Sequence, residues 1–130
     1  MTTGKPVVVK QLPETVSAQQ SQALYRELKP VLDADRPQIV FDFTQVRHFD
    51  SSGVELLLRC MEEAMKRNGD LKLAALSPQL SVILEMTRVD RLFEIFDNCK
   101  GAVESYHGFS PAAMQSLAPS VKIGVRERQS

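Results

Sequence analysis

Two hydroxyls stand side by side in Asp50-Ser51-Ser52-Gly53, directly after a strand-like segment and directly before an amphipathic helical stretch. A hydroxyl at the start of a helix lies beside unpaired backbone amides and the positive end of the helix dipole, both of which favour an added phosphate. The site is chemically suited to accept a phosphoryl group. The same residues also have a structural role open to them. Ser52 and Glu55 match the S-x-x-E capping box, in which the hydroxyl accepts a first-turn amide and the glutamate reaches back to the cap amide. Spacing alone leaves both roles standing.

Other residue types that do chemistry are sparse. A nucleophilic serine needs a base, and neither the glycine framing of a G-x-S-x-G elbow nor an obvious histidine partner is present, so no catalytic residue is assigned and the chain reads as a non-enzyme. His48 falls on a strand-like segment, where a solvated or hydrogen-bonded structural histidine is expected. Asp42 and Asp50 lie at strand ends without a third ligand or a glycine-rich phosphate loop, and read as solvated turn aspartates. The two cysteines, Cys60 and Cys99, and the two histidines, His48 and His107, have no metal-ligand spacing. Neither metal nor cofactor is expected, and the cysteines are expected to be reduced.

The elements that must position these residues follow from hydropathy patterning. With 130 residues, 43% hydrophobic and 25% charged, one globular domain is expected. Sixteen basic residues balance sixteen acidic ones, so no global field draws the chain to nucleic acid, and no direct nucleic-acid contact is expected. No apolar run reaches the length of a membrane span or of a signal-peptide core, which predicts a cytoplasmic protein without membrane insertion. Val7 to Val9 read as a strand, and the Ser17/Gln20 spacing opens a helix carrying Leu24, Leu28, Val31 and Leu32, with Pro30 inside its last turns. Ile39 to Phe43 form a nearly continuous apolar strand, expected at the centre of the sheet.

A helix starting around Ser52 places Val54, Leu57, Leu58, Met61 and Met65 on one stripe, with Arg59, Glu62, Glu63 and Lys66 opposite, and stops at Asn68-Gly69. Leu71, Leu73 and Leu76 suit a buried strand; Ser77-Pro78 caps a helix ending near Thr87; Leu92 to Phe96 suit another strand; and Ala102 to His107 a short closing helix. Alternating strands and helices predict an α/β layer. Val121, Ile123 and Val125 alternate with polar residues and glycine, the pattern of an edge strand, with a frayed tail as the alternative.

The stretch Ile39-Val40-Phe41-Asp42-Phe43-Thr44-Gln45-Val46-Arg47-His48-Phe49-Asp50-Ser51-Ser52-Gly53-Val54 resembles the signature of STAS domains, the family named after sulphate transporters and anti-sigma factor antagonists. Asp42 at the strand end, Val46 in the turn, Phe49 before the acid and the acid-Ser-Ser-Gly opening of a helix all carry the likeness. It continues through Asn68 to Leu73, Ser77-Pro78 and Ile83 to Phe96, covering roughly residues 5–108.

The resemblance implies an α/β fold with a STAS-like mixed sheet of four to five strands and helices mainly on one face. The domain would span 1–108, with 109–130 as a C-terminal extension. It implies an anti-sigma factor antagonist that captures an anti-sigma factor that is also a serine kinase, is switched off by phosphorylation of Ser52, and is reset by a serine phosphatase. Asp50, Ser51, Ser52 and Gly53, with Leu56 and Arg59 as exposed residues of the following helix, would form the partner surface. The alternative within the resemblance is a STAS regulatory subunit of a transporter or stressosome-like scaffold, with no phosphorylation cycle. Three departures from the family pattern carry expectations of their own. The N-terminal segment is one strand short. Arg88 stands at a left-handed cap position where the family commonly has glycine, which strains it. The extension contributes an edge strand at Val121 to Val125, pairing within the molecule or with a second copy as a homodimer.

Overall fold

The computed structural model describes residues 6–107. In chain order these form β1 (Val8–Gln11), β2 (Thr15–Val16), α1 (Ala18–Leu32), β3 (Gln38–Asp42), β4 (His48–Phe49), α2 (Ser51–Lys66), β5 (Asp70–Ala74), α3 (Pro78–Met86), a 3-10 turn (Val89–Leu92), β6 (Ile95–Phe96) and α4 (Cys99–Tyr106). Four strands make a sheet in the order β1-β3-β5-β6, so the apolar β3 is internal, as its composition predicts. β2 and β4 form a separate two-stranded ladder. Every pairing among the described residues is parallel. The antiparallel strand of a mixed sheet is not among them, because the segment before α1 supplies a single strand to the main sheet and no hairpin. The expected edge strand at Val121 to Val125 lies outside the described residues.

The period-two alternation of the strands divides the sheet into two faces. Ile39, Phe41, Leu71 and Leu73 point into the main core, which they share with Leu24 and Leu28 of α1, Leu57 and Met61 of α2, and Leu80 and Leu84 of α3. Val40 and Ala74 point the other way and pack with Ala102 of α4. Among the described residues, three helices therefore line one face and one the other. Lys72 also points to the α4 face and is buried. Its ammonium lies 4.2 Å from the Tyr106 ring centroid, 2.7 Å from the Ser105 hydroxyl and 2.9 Å from a Glu94 carboxylate oxygen. The Tyr106 hydroxyl donates toward the carbonyls of Asp70, at 2.6 Å, and Ile39, at 2.9 Å, and accepts the Ile39 amide at 3.2 Å, so it staples α4 across β3 and β5.

Local signals account for most boundaries. The Ser77 hydroxyl accepts the Leu80 amide at 3.2 Å, Pro78 opens α3, and Thr87 closes it. α2 ends as expected, with Asn68 at φ 63° and the Gly69 amide on the Ala64 carbonyl at 2.8 Å. A side chain at Gly69 would put its Cβ 2.2 Å from the Pro37 carbonyl oxygen. Arg88 does adopt the left-handed conformation, at φ 63°. That bend sends Val89–Leu92 into a 3-10 turn, which removes Leu92 from the strand expected there and leaves β6 with Ile95 and Phe96. The closing helix starts earlier than expected, at Cys99, because the Asn98 side chain accepts the Gly101 amide at 2.8 Å.

Candidate functional site

The β2-β4 ladder brings two helix starts together. Thr15 pairs with His48 and Val16 with Phe49, while the Glu14 carbonyl accepts the amides of Arg47 at 2.8 Å and His48 at 3.0 Å. Since β2 leads into α1 and β4 into α2, the first turns of both helices emerge side by side, and the two helices pack along their length.

The α2 start is capped by Asp50, two positions before Ser52, the cap that the S-x-x-E spacing suggests. Its backbone is extended, its carboxylate accepts the Ser52 amide at 2.9 Å, and its carbonyl accepts the amides of Gly53 at 2.9 Å and Val54 at 3.3 Å. The Ser52/Glu55 capping box is therefore not formed. Asp and Ser are comparable caps, and here the end of β4 decides: the Asp50 amide still reaches the Val16 carbonyl, at 3.4 Å, which holds Asp50 in extended geometry and Ser51 and Ser52 inside the helix. Ser51 is exposed and Ser52 half-buried, and among the described residues no hydrogen bond engages the Ser52 hydroxyl. Gly53 is buried for a steric reason, since a Cβ there would lie 2.7 Å from the Phe49 ring. Phe49 in turn packs edge-to-face on Phe43, with centroids 5.7 Å apart. The glycine lets the β4 aromatic close over the helix start.

Between α1 and α2, next to Ser52, lies a small pocket of about 130 Å³. Ser21 and Tyr25 line it from α1, and Ser52, Glu55, Leu56 and Arg59 from α2. The Arg59 guanidinium sits over the Tyr25 ring, 4.2 Å from its centroid. The Ser21 hydroxyl is shielded from solvent and has no hydrogen-bond partner among the described residues. Leu56 corrects an expectation: it is 2% exposed and forms part of the core, so it contributes to this pocket from below and not as an exposed contact. The buried stripe of α2 is Gly53, Leu56, Leu57, Cys60, Met61 and Ala64, whereas Leu58 and Met65 face outward. Arg59 is exposed, as expected. Sequence patterning did not single out Ser21 or Tyr25. The available signal for Ser21 was a polar residue in register with Leu24 and Leu28 on the buried stripe of α1.

The remaining candidate residues lie apart from this pocket. His48 is exposed on the wall of a wide polar cleft of about 970 Å³ with Glu14, Arg47 and Gln79. Partial burial works against ionisation of Asp42, but the hydroxyl and amide of Thr44 outweigh it and hold the carboxyl below its ordinary value. Burial pushes the Cys60 thiol up to about 12. Burial, and then the charge of Asp42, also raise Cys99. Among the described residues no group of three or more His, Cys, Asp or Glu side chains could hold a metal ion. No helix among them is long and apolar enough to cross a membrane.

The fold has counterparts among solved structures. A putative anti-sigma factor antagonist from Thermotoga maritima superposes with a TM-score of 0.69 at 16% identity, over 78% of this chain and 87% of that one. An anti-sigma-factor antagonist (STAS) domain protein from Planctomyces limnophilus gives 0.70 at 19%, over 77% and 90%. A sulfate transporter family protein from Wolinella succinogenes gives 0.60 at 21%, over 78% and 84%. At these identities the likeness concerns the fold, while the STAS domain family model matches residues 1–102 of the sequence itself. The chain belongs to the STAS domain family.

Proposed function

We propose that this STAS domain is an anti-sigma factor antagonist whose capture of an anti-sigma factor/serine kinase is switched off by phosphorylation of Ser52. The observation that carries the reading is the unengaged, half-buried hydroxyl of Ser52 in the first turn of α2, released from capping because Asp50 does that work. In the modification step the Ser52 oxygen attacks the γ-phosphorus of ATP held by the partner. The new O–P bond forms, the bridging bond to the β-phosphate breaks, ADP leaves, and the serine proton passes to a base of the kinase. A serine phosphatase restores the hydroxyl by hydrolysis.

The partner surface comprises Asp50, Ser51 and Ser52, continued by Arg59 on α2 and supported beneath by Gly53 and Leu56, both of which are buried where an exposed contact was expected. Added phosphate brings about −1.5 to −2 charges at pH 7 and must be stripped of water at a contact that already holds Asp50 and Glu55. The helix dipole compensates part of that charge within the free protein. Binding therefore weakens while the fold survives. The same fold occurs in a sulfate transporter family protein, so the fold alone does not choose between an antagonist and a transporter-associated subunit; the modifiable hydroxyl favours the antagonist.

The test is incubation with an anti-sigma factor/serine kinase and ATP, then peptide mapping by mass spectrometry. One phosphate on the peptide carrying Ser52, absent in Ser52→Ala, is expected. Modification at Ser51 alone, or none with a kinase that binds the chain, contradicts the proposal.

A further inference from the structure

We infer that the pocket between α1 and α2 is a receiving site for the phosphate of Ser52, with the Arg59 guanidinium and the Ser21 hydroxyl as its donors, so that modification draws Arg59 away from the Tyr25 ring. This rests on Ser52 as the modified residue and concerns the conformation of the phosphorylated chain.

Ser52 and Arg59 both line the pocket and stand seven residues, two helical turns or about 10 Å, apart on the same face of α2. Long side chains on a helix lean toward its N-terminus, which is the direction in which Ser52 lies from Arg59. Its present contact is the face of Tyr25 at 4.2 Å, a weak attraction at an exposed position. A phosphate offers the guanidinium two charge-assisted hydrogen bonds in matching planar geometry, a stronger partner than a ring face.

Ser21 is the second, independent indication. Its residue is 8% exposed, and a buried hydroxyl without a partner carries an unfavourable desolvation cost that a phosphate oxygen would relieve. The pocket, about 130 Å³, is well beyond the space that one water needs. The opposing charges are Glu55, which also lines the pocket and competes for Arg59, and Asp50 at the cap. Each brings one negative charge against nearly two on the phosphate. The off state is then a rearranged α1-α2 surface with Tyr25 uncovered, and more than an added charge.

Genetically encoded phosphoserine at position 52 tests this without any kinase, so failure here is separate from failure of the phosphorylation reading. Phosphorus NMR titration gives the second ionisation of the phosphate, ordinarily near about 6. It should fall lower in the otherwise wild-type chain than in Arg59→Gln by about half a unit, a roughly three-fold shift in the equilibrium, because an adjacent cation favours the dianion. Ser21→Ala should give an intermediate value. The Tyr25 ring-proton resonances of the phosphorylated chain should move toward those of unmodified Arg59→Gln. Equal titrations in wild type and Arg59→Gln, or in wild type and Ser21→Ala, or Tyr25 resonances that ignore the phosphate, would overturn the inference.

Discussion

Helices α1 and α2 start from two strands that pair with each other, yet their first turns are closed in opposite ways. At α1 the Gln20 side-chain oxygen reaches back to Ser17, taking its amide at 3.3 Å and also its hydroxyl. The hydroxyl at that helix start is consumed by the cap. At α2 the capping group is the Asp50 carboxylate, upstream of both serines, which leaves the Ser52 hydroxyl without structural employment. The difference teaches where a modification can be tolerated. A phosphate on Ser17 would break a closed cap, whereas one on Ser52 would meet a helix start already satisfied by another residue.

That contrast can be broken experimentally. The largest effect should come from Gly53→Val, which drives a side chain into the Phe49 ring that seals the α2 start; a loss of about 1–3 kcal/mol in urea unfolding is expected. Removing the cap with Asp50→Ala should cost about 1 kcal/mol, and Asp50→Asn, which retains an acceptor for the Ser52 amide, only a few tenths.

Much of this arrangement was legible in the sequence, for local reasons. The internal β3 announced itself by an apolar run, and α3 by Ser77-Pro78, because caps and buried strands are written in adjacent residues. The cap of α2 was legible only to within two residues. Asp50 and Ser52 are both good caps, and a hydrogen bond from the Asp50 amide to Val16 in another strand decides between them. The burial of Leu56 was hidden for a similar reason: packing against α1 and the sheet together sets the rotation of α2, and the sequence of α2 alone does not contain α1. The Tyr106 staple joins residues 67 apart in sequence, and local patterning has no term for it.

Smaller effects sharpen the comparison. Ser17→Ala should cost about 0.5–1 kcal/mol as a lost cap, whereas Ser52→Ala should stay within about 0.5 kcal/mol. Equal losses would mean that the Ser52 hydroxyl is structural after all. Smallest of all is the thiol response. Cys60 is fully buried with its ionisation pushed up to about 12, so it stays protonated and unreactive toward a thiol reagent between about pH 7 and 9. The half-buried Cys99 should label first, and a second equivalent should appear only in denaturant.

The central claim is that charge at Ser52 acts on binding and leaves folding intact, and calorimetry of Ser52→Asp against an anti-sigma factor/serine kinase tests it most directly, with the melting temperature recorded on the same sample. The expected result is a Kd raised ten-fold or more, about 1.4 kcal/mol, with an unchanged melting transition. An affinity equal to that of the unmodified chain, or a collapse of the melting transition, would contradict the claim and return Ser52 to the role of a structural residue.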